Sequence, residues 1–136
     1  METIRLNVSI KTDPQTLYAA LTTEEGLANW WAKQTTAKAE VGFVNTFTFG
    51  SFVNKMQVTQ LDAPKKVAWR CIDSLAEWVG TTISFDLEQR DQKVLLRFTQ
   101  AGWPEATDLF AGCTYDWARF LSSLKAYCET GSGMPA

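Results

Sequence analysis

The chain has 136 residues, 46% hydrophobic and 21% charged, which is a single-domain composition and excludes a disordered protein. Its 13 Lys and Arg stand against 15 Asp and Glu, a formal charge of -2, which weighs against a nucleic-acid partner. There is no histidine, so the commonest general base, the Ser-His and Cys-His nucleophile pairs and most zinc sites are removed together.

Size scaling gives a folded surface of roughly 7,100 Å² against about 22,000 Å² unfolded, enough burial for a core without staples. Residues Thr3 to Ile10 alternate apolar Ile4, Leu6, Val8 and Ile10 with polar Arg5, Asn7 and Ser9, the pattern of a half-buried strand. Asp13 is a helix N-cap and Pro14 fits the first helical position, so a short helix over Pro14–Leu21 is expected. Thr22-Thr23-Glu24-Glu25 carries a capping-box pattern that starts a second short helix, running to about Trp31. No basic recognition helix follows, so this pair is not read as a DNA-binding element.

From Gln34 to Gln100 the chain reads as strands. The candidates are Thr35–Val41, Phe43–Phe49, Phe52–Leu61, Lys66–Asp73, Gly80–Glu88 and Lys93–Gln100, separated by Gly, Asp and Pro breakers. Short loops at regular spacing imply antiparallel hairpins. Val67, Trp69 and Cys71 share one face, as do Ile83, Phe85 and Leu87, and Val94, Leu96 and Phe98. Beyond Gly102-Trp103-Pro104 the periodicity turns helical to about Glu129, with Phe110, Cys113, Trp117, Leu121, Leu124 and Cys128 on one stripe. That helix is about 24 residues, or roughly 36 Å, long enough to cross a sheet. Residues 131–136 are expected to form a flexible tail after the 1–130 domain.

Cys71, Cys113 and Cys128 form no CxxC pair, and the last two lie roughly 22 Å apart on one helix, too far to bridge. Reduced thiols, no secretory h-region and no apolar run of membrane-spanning length point to a cytoplasmic protein. No metal-ligand constellation or glycine-rich phosphate loop is present, so no cofactor is expected.

One strand, two short helices, six strands and a long helix give an α+β fold: a curved antiparallel sheet of six to seven strands wrapped around the C-terminal helix. Such a sheet and one helix leave a space that is filled by large side chains or left as a cavity. The aromatic count is high, with six Trp, eight Phe and three Tyr. The candidate lining is Trp31, Phe47, Met56, Trp69, Cys71, Phe85, Phe98, Trp103, Trp117 and Phe120. Either these rings enclose an apolar ligand or they plug the space. Adjacent helical residues point about 100° apart, so Trp30 and Trp31 cannot share a face: one anchors the helix, and the other lines a pocket mouth or a partner surface. Asn45, Asn54, Asp73 and Gln100 fall on inward faces and need partners there, although Asp73 and Gln100 are placed at strand ends near solvent. Acid–base chemistry without His would fall to residues such as Asp73, Glu77, Tyr115 or Asp116, none in a specific pattern. Trp78 is read as exposed, a hint of self-contact.

Several segments in order carry a family resemblance: Asp13-Pro14, Leu17-Tyr18, Leu21-Thr22, Glu25-Gly26-Leu27 with Trp30-Trp31, Gly80-Thr81-Thr82, Gly102-Trp103, and Trp117, Phe120-Leu121, Leu124-Lys125, Tyr127 and Glu129-Thr130-Gly131 in the final helix. Together they resemble the helix-grip fold of the START/Bet v-like (SRPBCC) superfamily. Within it, the chain is similar to bacterial single-domain, AHSA-like relatives of the C-terminal domain of the heat-shock chaperone ATPase activator. The resemblance implies the fold, not one activity, because the superfamily holds lipid carriers, hormone binders, cyclases and co-chaperone domains. It further implies that the chain lacks the extra N-terminal domain of the eukaryotic activators. The function expected is binding of a small apolar ligand between sheet and helix, as a carrier or sensor. The alternatives are a co-chaperone-like domain with a protein partner, or a cyclase-like enzyme on an apolar substrate. No nucleic acid and no membrane span are expected, and the chain is a monomer or a homodimer.

Overall fold

A computed structural model describes all residues, 1–136. The chain runs β1 (Glu2–Ile10), α1 (Pro14–Thr22), α2 (Glu24–Trp30), β2 (Gln34–Thr36), β3 (Val44–Phe49), β4 (Phe52–Asp62), β5 (Lys66–Asp73), β6 (Thr82–Arg90), β7 (Lys93–Trp103) and α3 (Asp108–Thr130). All strand pairs are antiparallel, and the seven strands follow the order β1-β7-β6-β5-β4-β3-β2. This is the helix-grip architecture: a curved α+β sheet closed over by one long helix, with two short helices between β1 and β2. The accessible surface is 6931 Å², close to the value expected from size alone.

Local chemistry sets the helix ends. Asp13 Oδ1 accepts the Thr16 N–H at 2.7 Å and Pro14 follows it, so α1 starts where the sequence places it. Thr23 is the cap of α2, its hydroxyl accepting the Gly26 N–H at 3.0 Å. Thr107 caps α3, and Gly131, at φ +88, ends it in the left-handed region that glycine tolerates.

Register explains the core. Inward residues meet across strands as Val58 with Trp69, Trp69 with Ile83, Val67 with Phe85, Phe85 with Phe98 and Phe98 with Leu6. Irregularities at Lys55/Met56 and Val58/Gln60 interrupt the β4–β5 ladder. Such breaks add local bend and twist to a sheet that has to curve around a helix.

The structure corrects four sequence readings. The strand expected over Thr35–Val41 reduces to Gln34–Thr36. Residues 37–43 instead turn, with Glu40 N–H bonded to Lys38 O and Gly42 at φ +94. Ala37, Lys38, Ala39 and Glu40 alternate in polarity but lack the β-branched and aromatic side chains that hold a strand. The strand expected from Gly80 starts at Thr82, because Gly80 lies in a turn at φ +91. The strand expected to end at Gln100 continues to Trp103, opposite Glu2 of β1, so Gln100 is fully buried rather than near solvent. Trp78 is buried, its Nε1 donating to Cys113 Sγ at 3.4 Å. Beyond α3, Met134 N–H donates to Ser123 Oγ, and Ala136 N–H donates to Trp31 O while its carbonyl accepts from Lys33 N–H.

Candidate functional site

The space between sheet and helix is filled over most of its length and open at one end. Of the ten candidate lining residues, Phe47, Met56, Trp69, Cys71, Phe85, Phe98 and Trp103 are buried in the core. Their rings interlock: Phe85 meets Trp69 at 5.1 Å and Phe98 at 5.4 Å between centroids, and Phe98 meets Trp117 at 4.4 Å. Only Trp31, Trp117 and Phe120 reach the opening, a cleft of about 220 Å³.

Four pieces of chain build that cleft. The first half of α3 presents Leu109, Cys113, Asp116, Trp117 and Phe120, spaced by three and four residues and so on one helical face. The β3–β4 hairpin adds Phe49, Phe52 and Asn54, the β5–β6 loop adds Leu75 and Trp78, and Trp31 forms the floor at the end of α2. Phe52 and Leu75 remain exposed at the rim. Sequence reasoning placed Asn54 inward and named Asp116 as an acid–base candidate, but did not name Phe52, Leu75 or Leu109 as walls. The Gly50-Ser51 turn and the helical spacing from Leu109 were the signals that could have found them.

Trp31 occupies the centre of the aromatic network. It stacks on Trp69 at 5.9 Å and 9°, and its centroid lies 4.3 Å from Phe47 and 5.1 Å from Trp117. Trp30 is equally buried and its ring stacks on that of Trp31, 6.1 Å away between centroids at 17°; its Nε1–H donates to Ala20 O at 2.8 Å and its carbonyl accepts from Ser123 Oγ. The adjacent pair thus divides by contacts rather than by burial: Trp30 bonds to α1 and α3, and Trp31 alone lines the cleft.

The inward polar residues find protein partners. Gln100 Nε2 donates to Thr81 Oγ1 at 3.0 Å, and Gln100 Oε1 accepts from Trp117 Nε1 at 2.8 Å. Asn45 Oδ1 accepts from Lys38 N–H at 3.2 Å, and Asn54 Oδ1 accepts from the Ser74 hydroxyl. Asp73 and Tyr115 are exposed and contribute nothing to the cleft. Burial pushes the thiols up, to about 11 for Cys71 and about 12 for Cys128, and raises Cys113 as well. None is a thiolate at neutral pH, so none is an activated nucleophile. No group of three or more His, Cys, Asp or Glu comes together to hold a metal, and no helix is long and apolar enough to cross a membrane.

A second groove of about 630 Å³ lies between α1, α2 and the end of α3, but its walls include Thr16, Thr23, Glu25 and Asn29. Apolar enclosure with a few polar groups characterises small-molecule sites, which selects the smaller cleft. Its volume exceeds the roughly 150 Å³ that holds a benzene.

A family model described as "Activator of Hsp90 ATPase homolog 1-like protein" matches residues 11–129. Among solved structures, the chain is similar to the Aha1 dimer from Colwellia psychrerythraea, determined in solution, at 38% identity and TM-score 0.90, covering 98% of this chain and 100% of that one. Protein SSP2350 from Staphylococcus saprophyticus shares 17% identity at TM-score 0.81, covering 99% and 98% of the two chains. Protein BH1534 from Bacillus halodurans shares 19% at TM-score 0.80, covering 95% and 98%. The last two likenesses are likenesses of fold alone. No curated protein matches the sequence.

Proposed function

The chain belongs to the Activator of Hsp90 ATPase homolog 1-like family, and from that premise we propose that it binds a small apolar, flat ligand in the cleft beneath α3. One observation carries this reading: the aromatic core stops short of filling the grip, leaving an opening of about 220 Å³ with nine hydrophobic residues among its eleven walls. Burying such a ligand against Trp31, Trp117 and Phe120 yields about 25 cal/mol per Å² of apolar area removed from water.

The test is a fluorescence titration with N-phenyl-1-naphthylamine, a neutral apolar probe. Saturable one-to-one uptake is expected, abolished by Leu109→Trp, which fills the cleft from its wall. No uptake, together with no thermal shift at saturating probe, overturns the reading, since a ligand at 100 times its Kd adds about 2.7 kcal/mol.

A second reading is a protein-interaction domain, either self-associating or co-chaperone-like. It is supported by the solution dimer of the 38%-identical relative and by exposed Phe52, Ile72, Leu75 and Val79 on the β4–β5–β6 side of the cleft. Light scattering across a concentration series tests the first form. ATP turnover of an Hsp90-class chaperone with and without the protein tests the second. A monomer at every concentration with unchanged turnover removes both.

A further inference from the structure

Resting on the cleft reading above, we infer that the ligand is a neutral aromatic carrying a hydrogen-bond acceptor such as a carbonyl, read by the Trp31 indole N–H and the Asn54 amide. The inference comes from an account of which polar groups in the wall are already spoken for. Three of the six indoles donate inside the protein: Trp30 to Ala20 O, Trp78 to Cys113 Sγ and Trp117 to Gln100 Oε1. Trp103 Nε1 has no partner and is sealed from solvent. Trp31 and Trp69, each 1% exposed, have no protein acceptor for the indole N–H and are not among the sealed atoms, and of the two only Trp31 lines the cleft. The cleft is the opening that Trp31 lines.

Asn54 repeats the pattern from the neighbouring strand. It is 4% exposed, and its Oδ1 is taken by the Ser74 hydroxyl. Its Nδ2 has no protein acceptor and is likewise not sealed. Both residues adjoin one ring: Phe47 is the register partner of Asn54, and its centroid lies 4.3 Å from that of Trp31. Buried donors without acceptors are costly, and a ligand acceptor satisfies them.

Charge narrows the class further. The walls contain no Lys or Arg, and their one ionisable carboxyl is Asp116. Asp116 lies 3.6 Å from Arg119 with its side chain about half exposed, so it is not a buried counter-ion for a cation. An anionic ligand would find no cation among the walls. A neutral acceptor meets both conditions.

The experiment compares 2-acetylnaphthalene, 2-ethylnaphthalene and 2-naphthoate by titration against the wild type, Trp31→Phe and Asn54→Leu. A net hydrogen bond contributes about five-fold in affinity. Each substitution is therefore expected to weaken the ketone about five-fold more than it weakens the hydrocarbon, a comparison that cancels ligand desolvation and general loss of packing. The naphthoate is expected to bind weakest. Nitrogen–proton NMR of the wild type needs no variant to fold: the Trp31 indole resonance is expected to move downfield with the ketone and not with the hydrocarbon. If the hydrocarbon binds, and neither the substitutions nor the indole resonance separates it from the ketone, the acceptor inference is overturned while the cleft reading stands. Tighter binding of the naphthoate overturns the neutral class. If none of the three binds, the cleft reading and the inference fall together.

Discussion

Trp117, on the helix, donates its indole N–H to the side-chain oxygen of Gln100, on the sheet, at 2.8 Å. Both residues are buried, and the Gln100 amide passes on to Thr81 Oγ1, whose hydroxyl in turn bonds Trp78 O at 2.6 Å. A polar line thus runs from α3 across β7 to the loop before β6, inside an otherwise aromatic core. Fully satisfied lines of this kind specify one packing; broken ones are expensive.

Gln100→Leu removes the centre of that line. It leaves the Trp117 N–H without an acceptor and takes the donor away from Thr81. Orphaning a buried polar group costs about 1–3 kcal/mol, so an overall loss of about 2–4 kcal/mol is expected, checked by urea unfolding. A loss under about 0.5 kcal/mol would contradict the network.

Trp103 offers the opposite case. Its Nε1 is buried with no partner, so replacement by Phe removes an unsatisfied donor along with some volume. Trp117→Phe removes the same volume and breaks a hydrogen bond. Trp103→Phe is therefore expected to be the milder change by about 1–2 kcal/mol; equal losses would show that the unpaired donor carries no cost.

Gly26 has no room for a side chain. A Cβ there would lie 2.7 Å from Ala20 Cα and 2.9 Å from Ala19 O, both backbone atoms that no rotamer change can move. The helix-propensity gain of Gly→Ala is about 1 kcal/mol, and overpacking costs about 1–3 kcal/mol. Overpacking is expected to win, with Gly26→Ala less stable by about 1–2 kcal/mol in thermal or chemical unfolding. A stabilised variant would mean that α1 and α2 do not approach as closely as described.

Acid sensitivity should have a traceable contributor at the end of α3. Glu129 accepts the backbone N–H of Lys11 and the ammonium of Lys125, each at 2.8 Å. These bonds, the Lys11 amide first, hold its carboxyl below the ordinary glutamate range. A depressed carboxylate contributes stability that is present above about pH 4.3 and lost as pH falls through its folded value. Glu129→Gln should flatten that part of the acid limb and lower the plateau above it by the amount the carboxylate contributes; an unaltered acid limb would show that the contact adds nothing.

Much of the architecture was legible because it is periodic. The two-residue alternation through Val67-Trp69-Cys71 and Ile83-Phe85-Leu87 is the inner face of β5 and β6, and the three- and four-residue stripe from Cys113 to Leu124 is the buried face of α3. Residues 37–43 misled because polarity alternates there without strand-forming side chains. The site was less legible. Inward-pointing rings are the same letters whether they fill a space or border it. Phe85 and Phe98 close the middle of the grip because they are register partners. Phe49 and Phe120, 6.4 Å apart between centroids, border the opening. Trp78 was misplaced because its burial depends on Cys113, 35 residues away, a pairing no local pattern announces.

The tryptophans have an optical consequence. Trp30, Trp31 and Trp69 form one run, and Trp31, Trp117, Trp78 and Trp103 another, with centroid spacings of 5.1–6.3 Å. All six indoles are thereby joined through Trp31, at spacings where excitation passes readily from ring to ring. Light absorbed anywhere in the network can reach the ring that floors the cleft, and an acceptor chromophore lodged there would drain the emission of the whole molecule. The protein carries its own antenna, and the floor of the cleft is part of it.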